Sequence, residues 1–153
     1  TQINIKDKTY ISNYHGFCRS VLKKYGYKLH PALSRLDTLQ PIDDSRSDNI
    51  MKSFKNIKIK DADVLSNYNS AVREIKGTHL KDNIDEYNSV VIDEILSKEA
   101  IPFNAIITLT IKLFQDHPSI LAFYQNYYTT ILVDEFQDME FLTYSGQKVK
   151  LPC

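Results

Sequence analysis

The sequence predicts an α/β chain that is mostly helical, in which part of a sheet carries a helical insertion. Three observations predict it. Thr129-Thr130-Ile131-Leu132-Val133 is a β-branched, apolar run that ends abruptly in Asp134, Glu135, Gln137 and Asp138, with Phe136 among them. Residues 3–11 alternate at their start as a strand does. Between these two strands lie about a hundred residues whose apolar positions recur at helical spacing. Two strands cannot make an independent doubly wound core, so the sheet here is only part of one.

After the first strand, Ser12 or Asn13 is placed to cap a helix. Tyr14, Phe17, Val21 and Tyr25 recur along it, and Gly26 is its expected C′ stop. Residues 27–45, with Pro31 and Pro41, read as loop holding at most a short helix. A further short helix is expected over 43–54. Asp61 or Asp63 opens a better one, with Leu65, Tyr68, Val72 and Ile75 on one face and Gly77 at its end. Residues 80–98 predict another, striped by Ile84, Tyr87, Val91 and Ile95. Pro102 fits the first position of the next helix. That helix carries Ile106, Ile107, Leu109, Ile111 and Leu113 nearly all round, which makes it a buried one, and it stops near His117-Pro118. A short helix over 119–127 leads into the acid-ended run.

At 153 residues, 42% of them apolar, the chain is about one domain long and can form a core. Nineteen basic residues balance nineteen acidic ones, so charge alone does not announce a nucleic-acid partner. The local cluster Arg19, Lys23 and Lys24 can contact phosphates, but such a cluster is ordinarily a solvated helix face. Cys18 and Cys153 have no metal-ligand spacing, and Cys18 reads as a small buried hydrophobe, which fits a reducing cytoplasm. No apolar run approaches a membrane span and no signal peptide opens the chain. The chain starts with Thr1 and finishes in Ser145–Cys153 without a closing element, so both ends read as cut from something larger.

A buried parallel strand is apolar throughout and polar only at its carboxyl end, where ligands of open α/β sheets bind. Two adjacent acids there can hold a Mg²⁺ and activate a water, as nucleotide hydrolysis requires. A bare Asp–Glu pair after a strand is usually the first turn of a solvated helix. The whole string Val133-Asp134-Glu135-Phe136-Gln137-Asp138 is more specific, and its order resembles the Walker B motif of the UvrD/Rep-type superfamily 1 DNA helicases.

The resemblance implies roles. Asp134 holds the Mg²⁺ of Mg·ATP, and Glu135 is the base on the attacking water. Gln137 and Asp138 link the γ-phosphate site to neighbouring motifs and DNA. Asn13-Tyr14-His15-Gly16-Phe17-Cys18 is similar to the family's single-stranded-DNA contact motif, so Asn13, His15 and Phe17 are its DNA-binding positions, with Asn13 where the family usually has Thr. Pro102-Phe103-Asn104-Ala105-Ile106-Ile107 matches the family's Asp-Phe-Asp-Asp-Leu-Leu with the Phe kept and the acids gone. The stretch from Leu113 to Tyr128 resembles the helix pair before Walker B.

On this reading the fold is a partial P-loop NTPase (RecA-like) sheet. Residues 1–26 supply an ATPase-domain strand and helix, 27–100 an inserted helical subdomain, and 101–153 the ATPase-domain helices and Walker B strand. The four glycines, Gly16, Gly26, Gly77 and Gly146, cannot build G-x-x-x-x-G-K-[ST], so the chain holds no P-loop. The expectation is part of the first motor domain of a cytoplasmic, ATP- and Mg²⁺-dependent helicase, inactive alone. Its expected partners are single-stranded DNA, duplex junctions and the remaining helicase domains, with no membrane partner. The other reading is a non-catalytic DNA- or protein-binding module derived from a degenerate helicase.

Overall fold

Asn13 is extended and turns the chain into a helix by accepting the Gly16 N–H on its side chain at 2.7 Å. In the computed structural model, which describes residues 10–54, 62–73 and 77–131 with the side chains of 71–83 left aside, this helix is α1 (Tyr14–Tyr25). Cys18, Val21 and Leu22 are its buried face. It ends at Gly26 as expected, but the reason differs. Gly26 has helical φ, −61°, and leads into a 3₁₀ turn, Gly26–Lys28, so no left-handed stop is present. A Cβ at this position would lie 2.8 Å from Leu33 Cβ, so the glycine admits a close approach of the next segment. Gly26→Ala is therefore expected to destabilise the fold by about 1–3 kcal/mol. A urea melt in which its midpoint matches the wild type would show that Leu33 gives way freely.

The region read as loop is ordered. A 3₁₀ stretch, Pro31–Thr38, buries Ala32, Leu33 and Leu36 beside α1. It is followed by β1 (Gln40–Ile42). α2 (Ser47–Ser53) and α3 (Ala62–Arg73) follow, near the expected positions. Gly77, expected to close α3, instead opens α4 (Gly77–Val90). The helix then changes winding without breaking, through a π segment, Val91–Ile95, and a 3₁₀ turn, Leu96–Lys98. The predicted stripe Ile84, Tyr87, Val91 and Ile95 is buried along its whole length. Glu99, in the left-handed region at φ 55°, turns the chain into β2 (Ala100–Pro102).

β1 and β2 form a parallel pair, with Gln40 opposite Ala100 and Ile42 opposite Pro102. Neither strand was expected. Each spans three residues and contains a proline, so neither shows an alternating pattern. Pro102 closes a strand rather than starting a helix, and α5 (Ala105–Asp116) begins beyond it. The two strands the sequence predicts fall mostly on residues that the structure does not describe. Residues 1–9 and 132–153 are outside the described residues, while Tyr10–Asn13 and Tyr128–Ile131 carry no strand. The described fold is thus mostly helical with a small parallel sheet.

α5 is the central element. It packs against α1, α4 and α6 (Pro118–Tyr127), and Ala105, Ile106, Leu109 and Leu113 are buried in it. Buried Thr110 returns its hydroxyl to the Ile106 carbonyl at 2.7 Å, so the helix hides a polar side chain without stranding it. Pro118 occupies the first turn of α6, as the His117-Pro118 break predicts. One buried cluster joins Cys18 and Leu22, Leu33 and Ile42, Ile50 and Leu65, Tyr87 and Ile95, and Leu109 to Ile120. Cys18 is a buried free thiol, pushed up to about 11 by burial, in keeping with a packing role.

Candidate nucleic-acid interface

The DNA-contact motif of the sequence sits at the start of α1. Asn13 spends its side-chain oxygen on the Gly16 N–H, and its carbonyl accepts from the Phe17 N–H at 3.0 Å. Gly16 leaves room for this tight cap: a Cβ would press on Ser12 Oγ and lie 2.9 Å from Asn13 Oδ1, so those side chains would have to shift. Asn13 therefore orients the motif.

His15 and Phe17 point to different neighbours. The His15 ring stacks on Phe103 at 4.1 Å between centroids and 22° between planes. Phe17 meets Tyr124 edge-on at 5.5 Å and Tyr128 at 6.1 Å, inside an aromatic cluster that α1 shares with α6. Two positions apart on a helix are on different faces, so this separation is built into the spacing. His15 Nε2 is buried without a hydrogen-bond partner, and burial lowers the pKa of the ring from its ordinary value.

Phe103 belongs to both the stack and a groove. It is 60% exposed, between β2 and α5. It helps to line a groove of about 390 Å³ with Pro41, Ile42, Asp43, Asp44, Ser45, Asn69 and Asn104. The groove has a polar floor. Asp44, 4% exposed, accepts the Tyr87 hydroxyl at 2.8 Å. Asn69 donates to the Asp44 carbonyl at 2.7 Å and accepts from the Asn104 amide. Burial pushes the Asp44 carboxyl above its usual range, against the pull of the Tyr87 and Asn69 hydrogen bonds. Asn104 stands where the sequence resemblance has an acid. A carboxylate there could not donate to Asn69, so the amide suits this network.

Sequence reasoning did not find this groove. Asp44, in the loop after β1, and Asn69, on α3, have no motif spacing, and only the fold brings them to Asn104.

The basic cluster of α1 is taken up by neighbouring elements at the surface. Arg19 and Lys23 both pair with exposed Asp37, at 2.7 and 2.5 Å, and hold its carboxyl below the usual range. Lys24 lies over the rings of Tyr25 and Phe123, at 5.1 and 5.3 Å. The solvated-face reading of these residues is the one this geometry fits. Among the described residues no group of three or more His, Cys, Asp or Glu could hold a metal ion, and no helix is long and apolar enough to cross a membrane. Asp134, Glu135, Gln137 and Asp138 lie outside the described residues.

A capped helix carrying a histidine, an aromatic beside it and an amide-lined groove is a geometry suited to a polar, planar ligand. The chain matches the family described as UvrD/REP helicase N-terminal domain over residues 2–147. It belongs to that family. It is also similar to an ATP-dependent DNA helicase PcrA of Bacillus subtilis (strain 168), 30% identical over 146 residues, which cover 86% of this chain and 19% of that protein. The chain thus spans about a fifth of the length of that curated relative. No solved structure matches the chain.

Proposed function

We propose that this chain is part of an ATP-dependent DNA helicase that moves along single-stranded DNA and unwinds duplex in repair or recombination. The observation that carries the reading is the Val133–Asp138 string, set within a family match over nearly the whole chain. In this reading Asp134 and Asp138 face Mg·ATP, with Asp134 the residue that holds its Mg²⁺. The cation supplies charge neutralisation at the transferred phosphate. Glu135 takes a proton from the attacking water, and Gln137 couples that site to DNA. Asn13 fixes the first turn of α1, His15 contacts the nucleotide strand, and Phe17 anchors the motif against α6. The partial RecA-like sheet and the inserted subdomain over 27–100 belong to the same reading.

The chain contains no P-loop, so alone it is expected to bind single-stranded DNA and hydrolyse no ATP. Fluorescence anisotropy with an oligothymidylate, repeated across salt, tests the binding half. The affinity should fall steeply as salt rises, since phosphate contacts release counterions, and His15→Ala should weaken it. Salt-independent binding, or none, favours the non-catalytic protein-binding reading. ATP turnover by the isolated chain that disappears in Glu135→Gln would falsify its inactivity.

A further inference from the structure

We infer that Phe103 is a positioning residue for His15: its ring holds the imidazole with the proton on Nδ1 and so offers Nδ1–H as the donor to an oxygen of a bound nucleotide strand. This deepens the proposed function and rests on its reading of His15 as a strand contact.

The backbone of His15 is fixed by the Asn13 cap and the close turn at Gly16. Its ring is not fixed by either. The face-to-face contact with Phe103, at 4.1 Å and 22°, supplies that constraint from the turn between β2 and α5. With the ring so held, Nε2 is sealed away from solvent with no acceptor or donor. A neutral imidazole carries one N–H. Placing it on the sealed nitrogen would strand a donor, whereas a bare lone pair there is the cheaper orphan. The proton therefore goes to Nδ1. Histidine free in water favours the other form, so the tautomer is a signature of the site. Burial also lowers the imidazole pKa, which keeps the ring neutral at pH 7.

The test is nitrogen NMR of the full 153-residue chain with labelled histidine at pH 7.5, the His15 signals assigned by their loss in His15→Gln. The expected result is a bare Nε2 and a protonated Nδ1. Phe103→Ala should shift the population toward Nε2–H, and Phe103→Tyr, which keeps the stack, should restore the wild-type pattern. Phe103 is 60% exposed, so neither variant asks the core to repack. A wild-type ring protonated on Nε2, or a tautomer indifferent to Phe103→Ala, overturns the inference. Oligothymidylate should then move the Nδ1 signal and leave Nε2 in place. If the tautomer behaves as expected but the oligonucleotide moves neither nitrogen, the donor role is overturned together with the strand-contact reading, and the failure is traced to that reading.

Discussion

Tyr87→Ala is expected to cost about 3–5 kcal/mol of stability, the range for removing an aromatic ring from a packed core. Among the described residues Tyr87 is the largest wholly buried side chain. It stacks on Tyr68 at 4.2 Å and 29° and donates its hydroxyl to Asp44 at 2.8 Å. Alanine removes the ring, the stack and a donor to a buried carboxyl together. Tyr87→Phe separates these. It keeps ring and stack and leaves Asp44 short of a donor, which should cost about 1–3 kcal/mol. Urea unfolding with an unchanged m-value measures both. A Tyr87→Phe protein as stable as the wild type would mean that water replaces the hydroxyl at Asp44.

The same pair predicts a pH dependence. The folded Asp44 carboxyl titrates above the ordinary carboxylate value of 3.8 because it is buried. In the window between that value and the raised one, the folded state binds more protons than the unfolded state. Stability therefore falls as pH rises through the window, by linkage. Asp44→Asn keeps an acceptor for Tyr87 and carries no charge. It should remove this slope, raise stability at neutral pH, and lose its advantage as pH drops below the ordinary carboxylate range. A slope unchanged in Asp44→Asn would assign the pH dependence to other groups.

Glu135→Gln, placed in a protein that includes the P-loop and the second motor domain, is expected to lower DNA-stimulated ATP turnover by about 10²–10⁴-fold, the contribution of a positioned general base. Glutamine matches the size of glutamate but cannot take a proton. Nucleotide affinity should therefore change far less than kcat. Asp134→Asn should act on the other side, weakening the response to Mg²⁺. Steady-state kcat and KM, each measured against Mg²⁺, distinguish the two. A Glu135→Gln enzyme with wild-type kcat removes Glu135 from the chemistry and takes the Walker B reading with it.

Helices were legible in the sequence wherever an apolar stripe was long enough to set a period. Ile84, Tyr87, Val91 and Ile95 span about three turns, and all four are buried. The cap was legible as Ser12 or Asn13, and the structure gives it to Asn13, whose side chain satisfies a local N–H without tertiary information. The strands β1 and β2 were not legible. Three residues with a proline carry no period, and their pairing depends on a partner sixty positions away. At Gly26 the helix end was legible but its reason, the close approach of Leu33, was not, and Gly77 was misplaced because it opens α4 instead of closing α3. His15 and Phe17 came from a motif, whereas the groove partners Asp44, Asn69 and Asn104 are brought together only by the fold.

The short β1–β2 pair also sets how the chain carries force. In a parallel pair, tension entering before Gln40 and leaving after Pro102 pulls the two strands past each other along their length. All the ladder bonds are then loaded at once in shear, instead of opening one by one as in a peeled hairpin. Contact between α1 and α5 shares the load. The residues from 43 to 99 leave and return at this clasp, about 8 Å apart by strand geometry, and stay slack until it slips. Among the described residues a pull on the chain is thus shared by the strand pair, the α1–α5 contact and the aromatic cluster between α1 and α6.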